Sequence, residues 1–337
     1  MLKAQMTYGA LRTKVMAMYG KMLAGDDWQS LGACRGLTEI CAFLRNHRGW
    51  RATLAGLPLL PTEEVLAAAV RRRCYVDYEK LYGFLPSGDK RLLRFLLCRA
   101  EYAFILAAVR ERNRLESLPK SLELTDFVRK NSEVDFDALE RSANFQAVLG
   151  AVRGSLFEAP LRMLKPDQDT GWPDFREVGI ALESAYFKTV FSYIVKKYKG
   201  LGRKKLADTF GLEADLLNIT GLLRLHRSFP ASLPQARELL LPVSCRLNPK
   251  LLLALTEAGT EGEAWDIIGR SPFGGCLQET DPDHIEDFYY KSLERIGRRL
   301  LRAPEPDFSA ALGLVILQEL ECKKLNRVIE AVSGGCA

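Results

Sequence analysis

The sequence lacks long uninterrupted apolar stretches and the alternating patterns that form β-strands. None of its 337 residues belongs to a run of about 20 apolar residues, so no transmembrane helix is predicted. Apolar and polar residues almost nowhere alternate over the length of a strand, so no sheet is predicted. The N-terminal stretch has scattered lysines and no apolar block of the signal-peptide type, and it is expected to form the first amphipathic helix. These absences predict an all-α protein.

Motifs that bind cofactors or metals, or that carry catalysis, are also missing. The chain has no Gly-x-x-x-x-Gly-Lys loop, no Gly-x-Gly-x-x-Gly and no Gly-x-Ser-x-Gly. His47, His226 and His284 stand far apart without the spacing of zinc ligands, and we expect each at the surface or at an interface. We therefore predict no catalytic residue, no cofactor-binding residue, no metal site and no small-molecule substrate.

The cysteine content and the composition of the chain indicate its cellular environment and its number of domains. The eight cysteines include no Cys-x-x-Cys pair, which points to a reducing cytoplasm rather than to a disulfide framework. Cys34, Cys98 and Cys322 lie in helical stretches and are expected to be small core residues. Apolar residues make up 47% and charged residues 27% of the chain, so two or three domains with ordinary cores are predicted.

The charge balance is mild, but one stretch is strongly basic. A formal net charge of +6 permits acidic partners or an anionic membrane surface and does not predict nucleic-acid binding. Six cations fall within ten positions that contain no acid: Lys196, Lys197, Lys199, Arg203, Lys204 and Lys205. A solvated helix end explains them, since cations are favoured at a helix C-terminus. Contact with acidic protein loops or lipid headgroups explains them as well, and both interpretations stay open.

One helical pattern occurs three times, at a period somewhat above 100 residues. Its stripe has steps of four, three and four residues: Cys98, Tyr102, Ile105 and Val109; Leu212, Leu216, Ile219 and Leu223; Gln318, Cys322, Leu325 and Ile329. An acid precedes the second stripe residue each time, namely Glu101, Asp215 and Glu321. Amphipathic helices resemble one another, but three copies near one period favour a repeat. We therefore predict three helical units, 1–119, 120–230 and 231–337, in which the acids have equivalent structural roles and a partner wherever they are buried.

Glycines and capping residues predict local details. Gly211 is expected to divide the middle copy into a short and a longer helix, since glycine costs roughly 1 kcal/mol against alanine inside a helix. Gly49, Gly154 and Gly274 mark turns at corresponding places in the three units, where they are expected to let a partner approach closely. Thr62 is predicted to cap the helix that follows it.

Four segments, taken in order, carry a resemblance to a known family. They are Tyr8-x-x-Leu11-Arg12-x-x-Val15-x-Ala17-Met18, Glu213-x-Asp215-Leu216-x-Asn218-Ile219-x-x-Leu222-Leu223-Arg224, Arg270-Ser271-Pro272-Phe273-Gly274, and Glu319-Leu320-Glu321-Cys322-Lys323-Lys324-Leu325 through Gly334-Gly335. They resemble the C subunit of V-type (A/V-type) ATPases and ATP synthases, called subunit d in eukaryotes. The resemblance extends from end to end and rests on the order and spacing of the three units.

This resemblance implies a fold, a role and partners. The fold would be a funnel of three similar helical domains around a pseudo-threefold axis. The protein would be a non-catalytic socket and spacer on the cytoplasmic face of the membrane. It would lie between the central shaft subunits and the proteolipid ring of a rotary motor that moves protons or sodium while hydrolysing or making ATP.

Two other functions are retained as alternatives. A helical scaffold that binds a partner helix would show repeats of about 34–47 residues, far shorter than the period here. An all-α enzyme would bring convergent polar groups together in an enclosed pocket.

Overall fold

The computed structural model describes residues 2–112, 123–228, 236, 240–277, 284–305 and 307–334. Within these ranges the chain forms helices, turns and loops and no β-strand, which confirms the predicted all-α class. The described α-helices are α1 Leu2–Tyr19, α2 Gly25–Gly32, α3 Leu37–Asn46, α4 Arg51–Leu54, α5 Glu63–Tyr82, α6 Ser87–Arg112, α7 Asp126–Asn131, α8 Phe136–Glu140, α9 Phe145–Ala151, α10 Glu158–Arg162, α11 Phe175–Lys197, α12 Gly200–Ser228, α13 Pro249–Glu257, α14 Glu261–Gly269, α15 Ile285–Arg302 and α16 Ser309–Gly334.

The same order of helices recurs three times along the chain. Two short helices are followed by a turn, then by a third short helix and by two long helices. This order describes α2 to α6 and α8 to α12. In the last part it describes α13, α14, the 3-10 helix Gly274–Cys276, α15 and α16. The recurrence supports the predicted repeat, while the three domain boundaries stay a prediction.

The chain forms two compact units. The terminal unit contains Met1–Leu97, Leu118–Ser132 and Gly297–Ala337, and the central unit contains Cys98–Ser117 and Glu133–Ile296. In the terminal unit α16 packs against α5, α1 and α3, so that the two ends of the chain share one core. In the central unit α12 packs against α11 and α14.

The third copy of the predicted stripe lies in the core of the terminal unit. Cys322, Leu325 and Ile329 of α16 are buried among apolar residues of the N-terminal helices. That cluster includes Trp50 and Leu44, which are fully buried. Each fully buried side chain of this size contributes about 1.5–3 kcal/mol through removal of apolar surface from water.

Local signals explain how several helices begin. The Thr62 hydroxyl accepts the Val65 N–H at 3.4 Å, so the predicted N-cap of α5 is confirmed. Asp174 caps α11 by accepting the N–H groups of Arg176 and Glu177. Both caps satisfy backbone donors that have no partner inside the helix.

Gly211 does not divide the middle copy, so that prediction is wrong. Helix α12 runs without a break from Gly200 to Ser228. A Cβ at Gly211 would lie 2.8 Å from the Cβ of Cys245. The glycine is therefore explained by close packing of another segment on the helix, which outweighs its low helix propensity.

Among the described helices, α11 is the one long and apolar enough to cross a membrane by length and composition. Its best 18-residue window has a mean hydropathy of 1.2. Core helices of folded domains pass the same test, and a single such helix is weak evidence for a span. In this structure α11 buries Val178, Leu182 and Val190 in the central unit.

Candidate partner-binding surfaces

The predicted basic stretch lies at the tip of a helical hairpin. Helix α11 ends at Lys197, α12 begins at Gly200, and the two helices pack against each other. Gly200 has a φ of +55°, a left-handed value that glycine adopts readily, so the reversal needs only two residues between the helices. We call residues 193–205 the hairpin tip.

The hairpin tip contains both cations and exposed apolar side chains. The exposed cations are Lys196, Lys197, Lys199, Arg203 and Lys204, whereas Lys205 is half-buried. Within the described part of the chain, no carboxylate pairs with any of these five exposed cations. Val195 and Leu201 are 57% and 59% exposed. The rings of Tyr193 and Tyr198 meet edge to face with centroids 6.3 Å apart.

The acid of the middle long helix holds a loop through backbone hydrogen bonds. Asp215 is fully buried. Its carboxylate accepts the N–H groups of Cys245, Arg246 and Leu247 at 3.0, 2.6 and 3.2 Å. Burial raises the pKa of Asp215, and these three hydrogen bonds act in the opposite direction.

The acid of the last long helix holds two segments of the terminal unit together. Glu321 accepts the Leu23 N–H at 2.8 Å and the Trp50 indole N–H at 3.1 Å. Burial raises its pKa to about 7, while Arg73 and the two hydrogen bonds favour the charged form. The guanidinium of Arg73 also lies over the Trp50 ring, 4.1 Å from its centroid.

The third acid, Glu101, follows the same pattern. It is buried and accepts the Glu133 N–H at 3.3 Å. In each case the donor precedes the N-cap of a short helix by one to three residues. Those N-caps are Ala24, Asp135 and Asn248. Each acid therefore fixes the segment that leads into a short helix: Glu101 before α8, Asp215 before α13 and Glu321 before α2.

The three turns after the second short helices share a hydrogen bond as well. A side-chain atom of His47, Ser155 or Ser271 accepts the backbone N–H two residues further on, at 3.3, 3.2 and 3.1 Å. A buried aromatic residue ends each turn, namely Trp50, Phe157 and Phe273. Side-chain acceptors of this kind stabilise a turn locally.

The glycines of these turns serve the chain itself. A Cβ at Gly49 would lie 1.9 Å from the carbonyl oxygen of Lys21, and one at Gly274 would lie 2.1 Å from that of Gly269. Gly154 has a φ of +80°, which side chains rarely allow. Close packing of neighbouring backbone therefore explains Gly49 and Gly274, while the approach of a partner at these turns stays a prediction.

Sequence reasoning missed a buried ion pair in the central unit. The Arg99 guanidinium forms a salt bridge with Glu213 and donates to the Tyr186 hydroxyl at 3.0 Å. Half-buried Glu183 is nearby, and burial together with the charge of Glu213 raises its pKa to about 7. Arg99 and Glu213 each stand two residues before the acid of their long helix, so the register of the repeat contained a signal for this pair.

Exposed apolar side chains follow the third short helix in two of the repeats. Leu59 and Leu60, which are 81% and 69% exposed, come after α4. Met163, which is 83% exposed, comes directly after α10. Large apolar side chains this exposed are candidates for contact with a partner.

The histidines and acids do not form a recognisable metal site in the part of the chain that the structure describes. Within it, no group of three His, Cys, Asp or Glu side chains could hold a metal ion. His226 is buried, and its Nε2 lies 2.6 Å from the Leu255 carbonyl oxygen. The expected surface or interface position is therefore wrong for His226, which is a core residue of the central unit, whereas His284 is exposed.

Comparison with known families places the chain. The family model of the ATP synthase (C/AC39) subunit matches residues 11–336. A comparison with curated proteins finds no match. The chain belongs to the ATP synthase (C/AC39) subunit family and is thus a subunit of a rotary, V-type ion-transporting ATPase or ATP synthase. This result confirms the family inferred from the four sequence segments.

Proposed function

We propose that this chain is the non-catalytic socket and spacer of the central stalk, joining the rotor shaft to the proteolipid ring. The observation that carries the proposal is the match to the subunit family over residues 11–336, together with the helix order that recurs three times. A repeated unit can offer similar contact surfaces to a shaft, so that torque is shared by several contacts. The chain would act at the cytoplasmic face of the membrane as a peripheral subunit, and the pseudo-threefold funnel belongs to this proposal.

The three buried acids would give the socket its rigidity. A torque-transmitting spacer must keep its helices in register while a partner pulls on them. Glu101, Asp215 and Glu321 tie the long helices to the loops that start the short helices. Each tie joins a buried carboxyl group to one or more backbone N–H donors, and such hydrogen bonds are stronger when the carboxyl group is ionised. We assign these acids equivalent structural roles and no role in chemistry.

Three separate surfaces are proposed as partner contacts. The hairpin tip is proposed to seat on the ring or on the membrane beside it. The exposed loop with Leu60 in the terminal unit and the exposed loop with Met163 in the central unit are each proposed to contact a neighbouring subunit through apolar surface. Leu60→Asp and Met163→Asp leave buried side chains untouched, so the core of each unit should be preserved.

The test is a pull-down of purified shaft subunit, and separately of detergent-solubilised proteolipid ring, on the immobilised chain. The unmodified chain should capture both. The Leu60→Asp/Met163→Asp variant should lose one of them by at least about tenfold while its circular dichroism spectrum is unchanged. Capture of neither partner by the folded, unmodified chain would contradict the socket function and favour a scaffold that binds other proteins.

A further inference from the structure

We propose that the hairpin tip binds anionic phospholipid headgroups, with Val195 and Leu201 entering the membrane interface between the cations. This deepens the proposed function by naming the partner of the tip, and it rests on that function only for placing the tip near a membrane. Its evidence is the arrangement of side chains at the end of the α11–α12 hairpin.

The hairpin tip carries a cluster of exposed positive charges. The exposed cations are Lys196, Lys197, Lys199, Arg203 and Lys204, and within the described residues none of them has a carboxylate partner. These cations are therefore available to bind an external anionic surface. Lysines predominate, and a flexible ammonium suits a diffuse anionic surface, whereas arginine is the usual choice for bidentate pairing with a protein carboxylate. A cluster of four to eight such cations is typical of lipid recognition.

The hairpin tip also exposes apolar side chains, which favour a membrane over acidic protein loops as its partner. Val195 precedes the lysines, and Leu201 lies between Lys199 and Arg203. Both are more than half exposed. Acidic loops would attract the cations but would leave these two side chains in water. A bilayer interface accepts both, because apolar side chains enter the acyl boundary while the lysines stay at the headgroups.

The hairpin tip also contains two aromatic side chains. Tyr193 and Tyr198 lie on either side of the helix end and are half-buried, with their rings in contact. Tyrosine is enriched at the interface between membrane and water because its ring is apolar and its hydroxyl is polar. The tip is compact, since two residues connect α11 and α12, so these groups all lie at one end of the hairpin.

The experiment is vesicle flotation of the purified 337-residue chain. Vesicles of phosphatidylcholine alone are compared with vesicles containing about 30% phosphatidylglycerol, at low and at physiological salt. We expect binding to the anionic vesicles only, and weaker binding at the higher salt, where the Debye length is about 8 Å. Replacing the five exposed tip cations with glutamine should lower the partition by on the order of 1,000-fold, since each cation near an anionic leaflet contributes roughly fivefold and the five factors multiply.

Matched variants separate charge, insertion and general basicity. Val195→Ser/Leu201→Ser should weaken binding by on the order of tenfold with an unchanged salt dependence, because only apolar burial is lost. A control replaces five exposed cations elsewhere with glutamine and should bind as the unmodified chain does: Lys21, Arg51, Lys250, Arg270 and Arg299. Circular dichroism confirms that each variant is folded.

Several outcomes overturn the inference. Equal binding to neutral vesicles, or equal losses in the tip variant and in the control, would show that the tip is not a lipid site. If the tip variant loses the proteolipid ring in a pull-down and the unmodified chain ignores anionic vesicles, the partner is an acidic protein surface. If the chain captures the shaft but does not bind anionic vesicles, the lipid proposal is contradicted and the socket function is not. If the chain binds the vesicles but captures neither shaft nor ring, the socket function is contradicted and the lipid proposal is not.

Discussion

Replacing Asp215 with alanine removes a carboxylate that holds three backbone N–H groups in the central unit. Cys245, Arg246 and Leu247 donate to it at 2.6–3.2 Å. Hydrogen bonds to a charged group contribute about 1.5–3 kcal/mol each. Burial of the carboxylate, seen in its raised pKa, offsets part of this sum. We expect the free energy of unfolding to fall by about 3–5 kcal/mol.

The assay combines urea unfolding, followed by circular dichroism, with hydrogen exchange of the peptide that contains residues 245–247. Asp215→Asn keeps one acceptor oxygen and should lose about 1–3 kcal/mol. Asp266→Ala, at an exposed acid in α14, is the control and should change stability by less than about 0.5 kcal/mol. Exchange at 245–247 should accelerate most in Asp215→Ala, less in Asp215→Asn, and not in Asp266→Ala. A loss below about 1 kcal/mol, with unchanged exchange, would refute the role assigned to the carboxylate.

Three further predictions follow from buried groups. Folding raises the pKa of Glu321 from an ordinary 4.5 to about 7, so the folded chain binds more protons than the unfolded chain between these pH values. The free energy of unfolding should therefore fall as pH rises through that window. Glu321→Gln should remove this part of the fall, measured by urea titrations at pH 5 and pH 8. A Cβ at Gly313 would lie 2.6 Å from the Gly297 carbonyl oxygen, so Gly313→Ala should cost roughly 1–3 kcal/mol by thermal unfolding. Arg99→Ala removes the guanidinium that pairs with buried Glu213 and should cost about 3–5 kcal/mol, and adding Glu213→Gln should restore part of the loss in a double-mutant cycle.

Features that depend on neighbouring residues could be predicted from the sequence. The stripe with Cys322, Leu325 and Ile329 was visible because an α-helix repeats every 3.6 residues, and these side chains are buried. The Thr62 cap was visible because a hydroxyl next to two acids suits a helix start. The order of the units and the family followed from such local patterns, summed over the chain.

Features that depend on how distant segments pack could not be predicted in the same way. Gly211 suggested a break, because propensity does not show that the segment with Cys245 packs on the helix there. The partner of Arg99 lies 114 residues away, and only the register of the repeat relates the two positions. The packing of α16 against the N-terminal helices was also not predicted, because dividing the sequence into three consecutive units places each long helix at the end of its own unit.

The most direct test of the central claim is ATP-driven ion transport in native membranes depleted of this chain. We predict that the ATP-hydrolysing part stays active while ion transport into membrane vesicles stops, because the shaft no longer turns the ring. Adding back the purified chain should restore transport, and the Leu60→Asp/Met163→Asp variant should restore less. Transport that continues at an unchanged rate without the chain would contradict its role as the coupling spacer.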